Sequence, residues 1–250
     1  AMNRPVEWGG LGLSAVEQII VQEQIGKATN CLWDFAWYPA NVLARCTPEQ
    51  REKYLLPVIR GEKRDAYATT EADAGSDAIA ITTTARKVDG GWVIDGEKWF
   101  VTGGDVSDFW IVHALAGEDR APTLFLVDRG TPGVETVRTP VFMHTPVLDH
   151  PTLAFREVFV ADDAVLGEVG EGYELTKEWF VEERLGIAAR TIGAAERALG
   201  LARDWAVSRE QFGQRIADFQ MVQQMLADSA VDIALNRAYY HQVAWEIDNG

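Results

Sequence analysis

Residues 68–77, ATTEADAGSD, concentrate small hydrogen-bonding groups in one short stretch. The stretch contains three carboxylates, three hydroxyls and one glycine, and it has no bulky or basic side chain. Small residues leave the backbone N–H groups accessible, so such a segment suits a polar ligand that must approach the backbone closely. A solvated loop with an acidic helix cap is the alternative, and the segment by itself leaves both interpretations open.

Three further segments carry side chains of chemical interest. DGEKWFVTGG at 95–104 combines aromatic residues with the hydroxyl of Thr102. VEERLG at 181–186 places two carboxylates before an arginine. SREQFGQRIADFQ at 208–220 surrounds Arg209 and Phe212 with polar residues, and it also fits a plain helix–turn–helix in which Gly213 is a simple break.

Helical patterns flank the region that holds the first of these segments. Ser14 with Glu17, and Thr47 with Gln50, form capping boxes, which predict helix starts within residues 14–63. After residue 169, apolar residues recur at spacings of three and four along two long helices, and each has one narrow seam. The seams comprise Leu185, Ala188, Ile192, Ala195, Leu199, Ala202 and Ala206, then Val222, Leu226, Ala230, Ile233, Tyr240, Ala244 and Ile247. We expect these seams to need partner helices, either from chain beyond residue 250 or from another subunit.

Between the helical regions the apolar period changes to two, which indicates strands. Residues 78–88 alternate, and VDGGWVIDGEKWFVT (88–102) has β-rich runs around two Asp-Gly turn signals, at 89–90 and 95–96. FWIVHAL, PTLFLVD, GVETV and LAFREVFV follow as further short predicted strands. No helix separates these strands, so we expect an antiparallel or barrel-like sheet and exclude a parallel nucleotide-binding sheet. The predicted fold is α+β: N-terminal helices (1–64), a central antiparallel β-barrel (65–168) and a C-terminal helical bundle (169–250).

Composition narrows the range of partners. The 250 residues are 47% hydrophobic and carry a formal charge of −15, which argues against nucleic acid and anionic membrane surfaces. We expect no membrane span and no signal peptide. We also expect no metal site, since His144 and His150 share a loop without further ligands. Two cysteines, Cys31 and Cys46, indicate buried thiols in a reducing compartment, which is the cytoplasm or, in a eukaryote, the mitochondrial matrix. Both ends of the sequence look cut, so we expect a longer protein.

The order of elements and three motifs resemble the acyl-CoA dehydrogenase family. YATTEADAGSD is similar to the family signature Y-x-x-T-E-x-x-x-G-S-D, and DGEKWFVTGG is similar to its G-x-K-x-W-I-T-N-G strand. SREQFGQRIADFQMVQ is similar to its R-x-x-F-G segment followed by a glutamine. The resemblance covers nearly the whole chain, and it implies flavin adenine dinucleotide (FAD) as cofactor and an acyl-CoA thioester oxidised between its α and β carbons.

The resemblance assigns cofactor contacts residue by residue. Tyr67, Thr69 and Thr70 would line the flavin ring, and Gly75 and Ser76 would lie beside the pyrophosphate and the substrate entrance. Phe100, where the family usually has tryptophan, would cover the ring, and Thr102 would offer its hydroxyl to flavin N5. A core aromatic is the alternative, and it fits Trp99 better than Phe100. Arg209, Phe212 and Gln220 would reach a neighbouring subunit's cofactor, which implies a homodimer or homotetramer, or a heteromer with a close relative.

The resemblance also proposes a base for the α-proton. Isovaleryl-type members carry the catalytic glutamate immediately before an arginine on the first long C-terminal helix, and Glu183 and Arg184 match that position. A base beyond residue 250 is one alternative, and solvated charges near a helix start are another. Ser76 and Arg184 would contact substrate. Leu148-Asp149-His150 stands where relatives often read Ser-Asp-Thr, so the contacts to CoA are expected to differ.

Three functions are compatible with these motifs. The first is an acyl-CoA dehydrogenase of lipid metabolism and fatty acid β-oxidation, with an electron-transfer flavoprotein as acceptor. The second is a flavin monooxygenase or oxidase of the same fold, which oxygen consumption would reveal. The third is a non-catalytic member, such as the inactive half of a heteromer, since the net charge argues against a DNA-binding relative.

Overall fold

Three parts of the chain are described by the structure, a computed structural model: residues 1–28, 38–143 and 149–250. Cys31, His144 and Leu148, which entered the sequence analysis, lie outside these parts. The chain divides into two units, Ala1–Leu11 with Trp37–Val181 and Gly12–Ala36 with Glu182–Gly250. The domain limits at 64 and 168 stay predictions.

Helices occur in the two regions where the sequence predicts them. α1 is Ala15–Gly26, and α2 is built from the consecutive segments Pro48–Gln50, Arg51–Leu55 and Leu56–Ile59, of which the middle one is π-helical. α3 is Gly172–Ser208 and α4 is Gln220–Asn249. Both capping boxes are confirmed: the side chains of Ser14 and Thr47 accept hydrogen bonds from the backbone N–H groups of Glu17 and Gln50. Short 3₁₀ turns cover Val6–Trp8, Asn41–Arg45, Asp162–Ala164 and Ile216–Asp218.

The first unit holds an eight-stranded sheet. Its strands are β1 (Asp65–Ala68), β2 (Thr84–Val88), β3 (Gly91–Lys98), β4 (Phe109–Ala116), β5 (Ala121–Asp128), β6 (Val134–Arg138), β7 (Thr152–Ala161) and β8 (Val165–Leu166). The strand order is β6-β7-β3-β2-β4-β5-β8, with β1 also paired to β4. Four of these strands confirm the predictions from FWIVHAL, PTLFLVD, GVETV and LAFREVFV.

The sheet differs from the predicted antiparallel barrel in two respects. β1 and β2 both run parallel to β4, and among the described residues the edge strands β6 and β8 do not pair, so the sheet is mixed and open. After the β2–β3 hairpin, the connection 99–108 brings β4 to the far side of β2 instead of beside β3. A long irregular loop can therefore make the crossover that the sequence analysis assigned only to helices.

Two strand predictions were wrong in their limits. Asp89-Gly90 forms the predicted turn between β2 and β3, but Gly96 lies inside β3, where the pairing with β7 shifts register between Ile94 and Gly96. A Cβ on Gly96 would lie 2.4 Å from the Thr83 hydroxyl, so this bulge requires glycine. The predicted strand 78–88 begins only at Thr84, because the residues before it bind a buried carboxylate.

The first unit packs apolar side chains on both faces of the sheet. On one face, residues mainly of the strands form the cluster, which includes Trp92, Trp110, Phe125 and Phe155. On the other face, Phe109 and Leu124 pack against residues of the helical segments, such as Leu55, and against Leu175 at the start of α3. Successive side chains of β4 therefore point into the two clusters in turn, and every residue of that strand is buried.

The second unit joins α1, the later part of α3, and α4. Ile19, Ala189, Tyr240 and Ala244 form its apolar cluster. A Cβ on Gly193 would lie 2.0 Å from the Glu23 carbonyl oxygen, so glycine allows α1 and α3 to approach closely. Exposed apolar side chains also occur on these helices outside the predicted seams: Leu201, Trp205, Met221, Met225, Leu235, Tyr239 and Trp245.

Candidate active site

The signature loop, residues 69–83, lies where one edge of β4 changes partners. β1 pairs with Phe109–Val112 of β4, and β2 pairs with Leu115 and Ala116 on the same edge. His113 and Ala114 lie between these two pairings. The loop leaves the sheet at Ala68 and returns at Thr84, so its residues gather beside this interruption in the ladder.

Glu71 anchors the signature loop from inside. Its carboxylate accepts hydrogen bonds from the backbone N–H groups of Thr82 (2.6 Å) and Thr83 (3.0 Å), and from the Thr82 hydroxyl (2.7 Å). The ammonium of Lys98, at the end of β3, lies 2.8 Å from the same carboxylate and donates to the Thr69 carbonyl over 3.0 Å. Both side chains are buried. The pair therefore ties the two ends of the loop to β3.

The surroundings keep both members of this pair charged at neutral pH. Burial by itself would raise the pKa of Glu71, but the Lys98 charge and the hydrogen bonds outweigh it and lower that pKa to about 2. Burial lowers the pKa of Lys98 to about 8, against the opposing effect of Glu71. Of the three carboxylates in the signature, Glu71 is thus structural, whereas Asp73 and Asp77 are exposed.

His113 contacts the signature loop from β4. Its Nδ1 lies 3.2 Å from the Thr69 hydroxyl, and its ring is fully buried. Burial, followed by the nearby Lys98 charge, lowers the pKa of His113 to about 3, so the ring is neutral. Its Nε2 has no hydrogen-bond partner among the described residues.

The segment after β3 forms the second wall of the site, but it is not the predicted strand. β3 ends at Lys98, the Trp99 N–H donates to the Thr70 carbonyl over 2.8 Å, and Phe100 adopts φ 52°. A left-handed backbone at a bulky residue is strained by about 1–3 kcal/mol and turns its side chain away from strand alternation. Phe100 is 47% exposed, while Trp99 is half-buried with Arg138 over its ring, so Trp99 is the better packed of the two.

Thr102 lies opposite His150 on a neighbouring segment. The Thr102 Oγ1 and His150 Nδ1 atoms are 3.0 Å apart. The Val101 N–H donates to the Pro151 carbonyl, and the Gly103 N–H donates to the Asp149 carbonyl. The exposed Thr102 therefore lies between two residues that both hydrogen-bond to the segment of His150.

These contacts collect four of the proposed cofactor residues, Thr69, Thr70, Phe100 and Thr102, on two connected segments of one unit. Comparison with known proteins identifies the family of the chain. Residues 1–62, 66–157 and 170–250 match the N-terminal, middle and C-terminal domains of acyl-CoA dehydrogenase. The chain belongs to the acyl-CoA dehydrogenase family.

Individual members of the acyl-CoA dehydrogenase family match over the full chain. A mitochondrial isovaleryl-CoA dehydrogenase of Oryza sativa subsp. japonica is 33% identical over 257 residues, which is 100% of this chain and 63% of the relative. Butyryl-CoA dehydrogenase of Megasphaera elsdenii superposes with a TM-score of 0.91 at 29% identity, covering 100% and 68% of the two chains. A structure described as the FAD complex of PigA gives a TM-score of 0.90 at 25% identity, covering 99% and 67%.

Two conclusions follow from these comparisons. Acyl-CoA dehydrogenases are flavin-dependent, so the family itself indicates a flavin cofactor. The second is that the chain spans 63% of the length of the rice relative.

Other predicted family positions in the first unit have different surroundings. Tyr67 is half-buried, and its ring stacks on the Trp179 ring with 4.1 Å between centroids. Its hydroxyl lies 2.9 Å from the Thr176 hydroxyl, and burial raises the pKa of Tyr67. Gly75 and Ser76 are exposed, and a Cβ on Gly75 would meet no atom within 4 Å. The polar half of the signature thus borders open space, whereas the Tyr67 side chain is occupied by neighbours from α3.

The remaining predicted residues belong to the second unit. The half-buried Glu183 has its carboxylate 3.9 Å from the Arg190 guanidinium, and Arg184 is exposed. α3 begins at Gly172, so Glu183 lies well past the first turn, and the interpretation of Glu183 as a helix-start charge is wrong. Arg209, Phe212 and Gln220 are exposed, and Phe212, with 96% exposure and φ 53°, sits between β9 (Glu210–Gln211) and β10 (Gln214–Arg215). This hairpin replaces the helix–turn–helix alternative.

The sequence analysis gave no role to Lys98 or His113, and it did not predict the contact of His150 with Thr102. Lys98 was within a quoted motif but had no assigned role. His113 is the one polar residue of FWIVHAL, and a polar group in a buried strand needs a partner, which was the available signal. Across the described parts of the chain, no group of three acidic, cysteine or histidine side chains is arranged for a metal ion, and no helix is long and apolar enough to cross a membrane.

Proposed function

We propose that the protein containing this chain is an FAD-dependent acyl-CoA dehydrogenase that oxidises a thioester between its α and β carbons. The observation that carries the proposal is the pair of hydrogen-bonded segments that hold Thr69 and Thr70 on one side and the exposed Phe100 and Thr102 on the other. Membership of a flavin-dependent family supports the same assignment.

The residues present fit a flavin by their chemistry. A flavin ring has flat apolar faces and an edge of carbonyl and N–H groups. The exposed Phe100 ring suits a face, and the hydroxyls of Thr69, Thr70 and Thr102 suit the edge. Gly75 and Ser76 border open space, which suits a pyrophosphate that needs close backbone donors. When bound, FAD supplies a hydride acceptor.

Glu183 is the proposed base for the α-proton. An α-proton beside a thioester is weakly acidic, so a carboxylate must be placed within hydrogen-bonding distance of it in a site that excludes water. Glu183 is half-buried and precedes Arg184, as in isovaleryl-type members, and an isovaleryl-CoA dehydrogenase is among the relatives. Its carboxylate lies 3.9 Å from the Arg190 guanidinium, and an ionised carboxylate is the form that accepts a proton.

The proposed substrate contacts and partners rest on the same family resemblance. Ser76 and Arg184, both exposed, would contact the acyl-CoA. An electron-transfer flavoprotein would receive the electrons. Arg209, Phe212 and Gln220 would contact the cofactor of a neighbouring subunit in a homo-oligomer or a heteromer, because their side chains are exposed on the second unit. A cytoplasmic or matrix location stays a prediction.

Anaerobic mixing of the purified full-length protein with acyl-CoA thioesters tests the proposal. We expect a yellow protein whose flavin absorbance near its visible maximum is lost when a substrate of suitable chain length and branching is added. An artificial electron acceptor should restore the absorbance. A colourless protein that does not bind FAD, or a flavoprotein that no acyl-CoA reduces, would contradict the assignment. Rapid oxygen consumption without an acceptor would indicate the oxidase alternative.

A further inference from the structure

The pair of Thr102 and His150 is held by backbone hydrogen bonds on both sides. The Val101 N–H donates to the Pro151 carbonyl over 3.0 Å, and the Gly103 N–H donates to the Asp149 carbonyl over 2.9 Å. Thr102 and His150 are therefore directly opposite each other in a short antiparallel pairing, the arrangement in which facing side chains lie closest. The backbone itself brings Nδ1 of the imidazole to 3.0 Å from the hydroxyl.

One aromatic ring contacts the imidazole of His150. The Phe142 ring meets the His150 ring edge-on, with 5.6 Å between centroids and 68° between planes. Phe142 also packs on Phe100, at 6.1 Å. The ring that would cover the flavin and the ring that contacts Thr102 thus share one aromatic neighbour.

The Thr102 hydroxyl has one hydrogen, and its direction depends on His150. A hydroxyl can donate one hydrogen bond and accept two. If the imidazole N–H donates to Oγ1, the hydroxyl hydrogen stays available for a ligand on the exposed side. If Nδ1 accepts instead, the hydroxyl hydrogen points inward and is lost to that ligand.

We propose that His150 is a positioning residue that donates from Nδ1 to Thr102 and thereby directs the Thr102 hydroxyl hydrogen toward the flavin edge. This inference rests on the proposed function, because it requires FAD beside Thr102. His150 touches neither substrate nor cofactor in this role, and it acts through Thr102 alone.

The reduction potential of bound flavin measures this role independently of turnover. Flavin N5 accepts a hydrogen bond when oxidised and carries its own hydrogen when reduced, so a donating Thr102 hydroxyl stabilises the oxidised form. We expect His150→Phe, which keeps an aromatic ring, to make the potential of the full-length holoprotein more positive. A tenfold change in the relative affinity for the two forms, typical of losing one such hydrogen bond, corresponds to about 30 mV for a two-electron couple.

Four further variants separate the hydrogen bond from packing. His150→Asn returns an amide donor near the position of Nδ1, and it should restore most of the shift. In a Thr102→Val background, His150→Phe should leave the potential where Thr102→Val alone puts it. His241→Phe, on α4 and stacked on Tyr240, makes the same exchange outside the site and should not change the potential.

The outcomes distinguish this inference from the proposed function. The inference is overturned if His150→Phe leaves the reduction potential unchanged, shifts it to a more negative value, or shifts it equally in the Thr102→Val background. In each of these cases the protein still binds flavin, so the proposed function is unaffected. A full-length protein that binds no FAD would overturn both. If His150→Phe does not retain flavin, His150→Ala serves for the same comparison.

Discussion

The Lys98 ammonium lies 2.8 Å from the Glu71 carboxylate, and neither side chain reaches solvent to any large extent. Removing one partner of a buried ion pair leaves an uncompensated charge, which typically costs about 3–5 kcal/mol. We therefore expect Glu71→Gln to lower the free energy of unfolding by roughly this amount. The combined change Glu71→Gln with Lys98→Met should cost less than the sum of the two single changes. Urea unfolding of the four proteins measures the coupling.

A solvent-exposed pair provides the matched control for this cycle. Lys53 lies 2.7 Å from the Asp128 carboxylate, and both side chains are about half exposed. Because solvent screens such a pair, Lys53→Met should cost no more than about 1 kcal/mol. Equal losses at Lys53 and Lys98 would mean that the buried pair does not hold the signature loop.

The neutral, buried His113 should make the protein sensitive to mild acid. Its pKa is about 3 in the folded chain and ordinarily 6.5, so between these values the unfolded chain binds a proton that the folded chain does not. The contribution of His113 to the free energy of unfolding is therefore fully present above about pH 6.5. It is lost as the pH falls toward 3, by at most about 1.4 kcal/mol per pH unit for one proton. His113→Asn should reduce the loss between pH 7 and pH 5, measured by urea unfolding.

Glu71 titrates at lower pH than His113, so it does not contribute to the change in stability between pH 7 and pH 5. The pKa of Glu71 is lowered from 4.5 to about 2, so its contribution is present above pH 4.5 and is lost only as pH falls toward 2. An unchanged slope between pH 7 and 5 in His113→Asn would show that His113 is not the group responsible.

Glu183→Gln tests the proposed base. The amide keeps the shape of the side chain, so FAD and acyl-CoA should still bind, while the rate of flavin bleaching should fall by about 10²–10⁴-fold. Rapid-mixing absorbance of the full-length protein measures that rate. Glu182→Gln, its half-buried neighbour, is the control and should keep a near-normal rate. A near-normal rate in Glu183→Gln would place the base elsewhere, such as beyond residue 250.

Arg209→Ala tests the proposed contact with a neighbouring subunit. Arg209 is exposed at the base of the β9–β10 hairpin, where its carbonyl accepts from the Ile216 N–H, so truncating the side chain should not unfold the hairpin. We expect weaker FAD retention with an unchanged thermal midpoint, measured by filtration and by circular dichroism. Arg203→Ala, an exposed arginine on α3 that pairs with Asp204, is the control. A monomer by light scattering that holds FAD tightly would contradict this prediction.

Local patterns determined the elements and the family of this chain. The boxes at Ser14 and Thr47 set helix starts because a hydroxyl and an N3 side chain satisfy backbone N–H groups within one turn. The short apolar run FWIVHAL indicated a strand because a strand covered on both faces is apolar along its whole length. The motifs around Thr69, Thr102 and Arg209 indicated the flavin-dependent family because they are short and contiguous in sequence.

Tertiary structure decided the features that join residues distant in the chain. The parallel pairing of β1 and β2 with β4 depends on where long loops cross, which local periodicity does not encode. Residues 78–83 alternate like a strand, yet Glu71 takes the N–H groups of Thr82 and Thr83, since a buried carboxylate gains more from these donors than a ladder would. The roles of Lys98, His113 and His150 arose in the same way: each depends on a partner brought close only by the folded sheet.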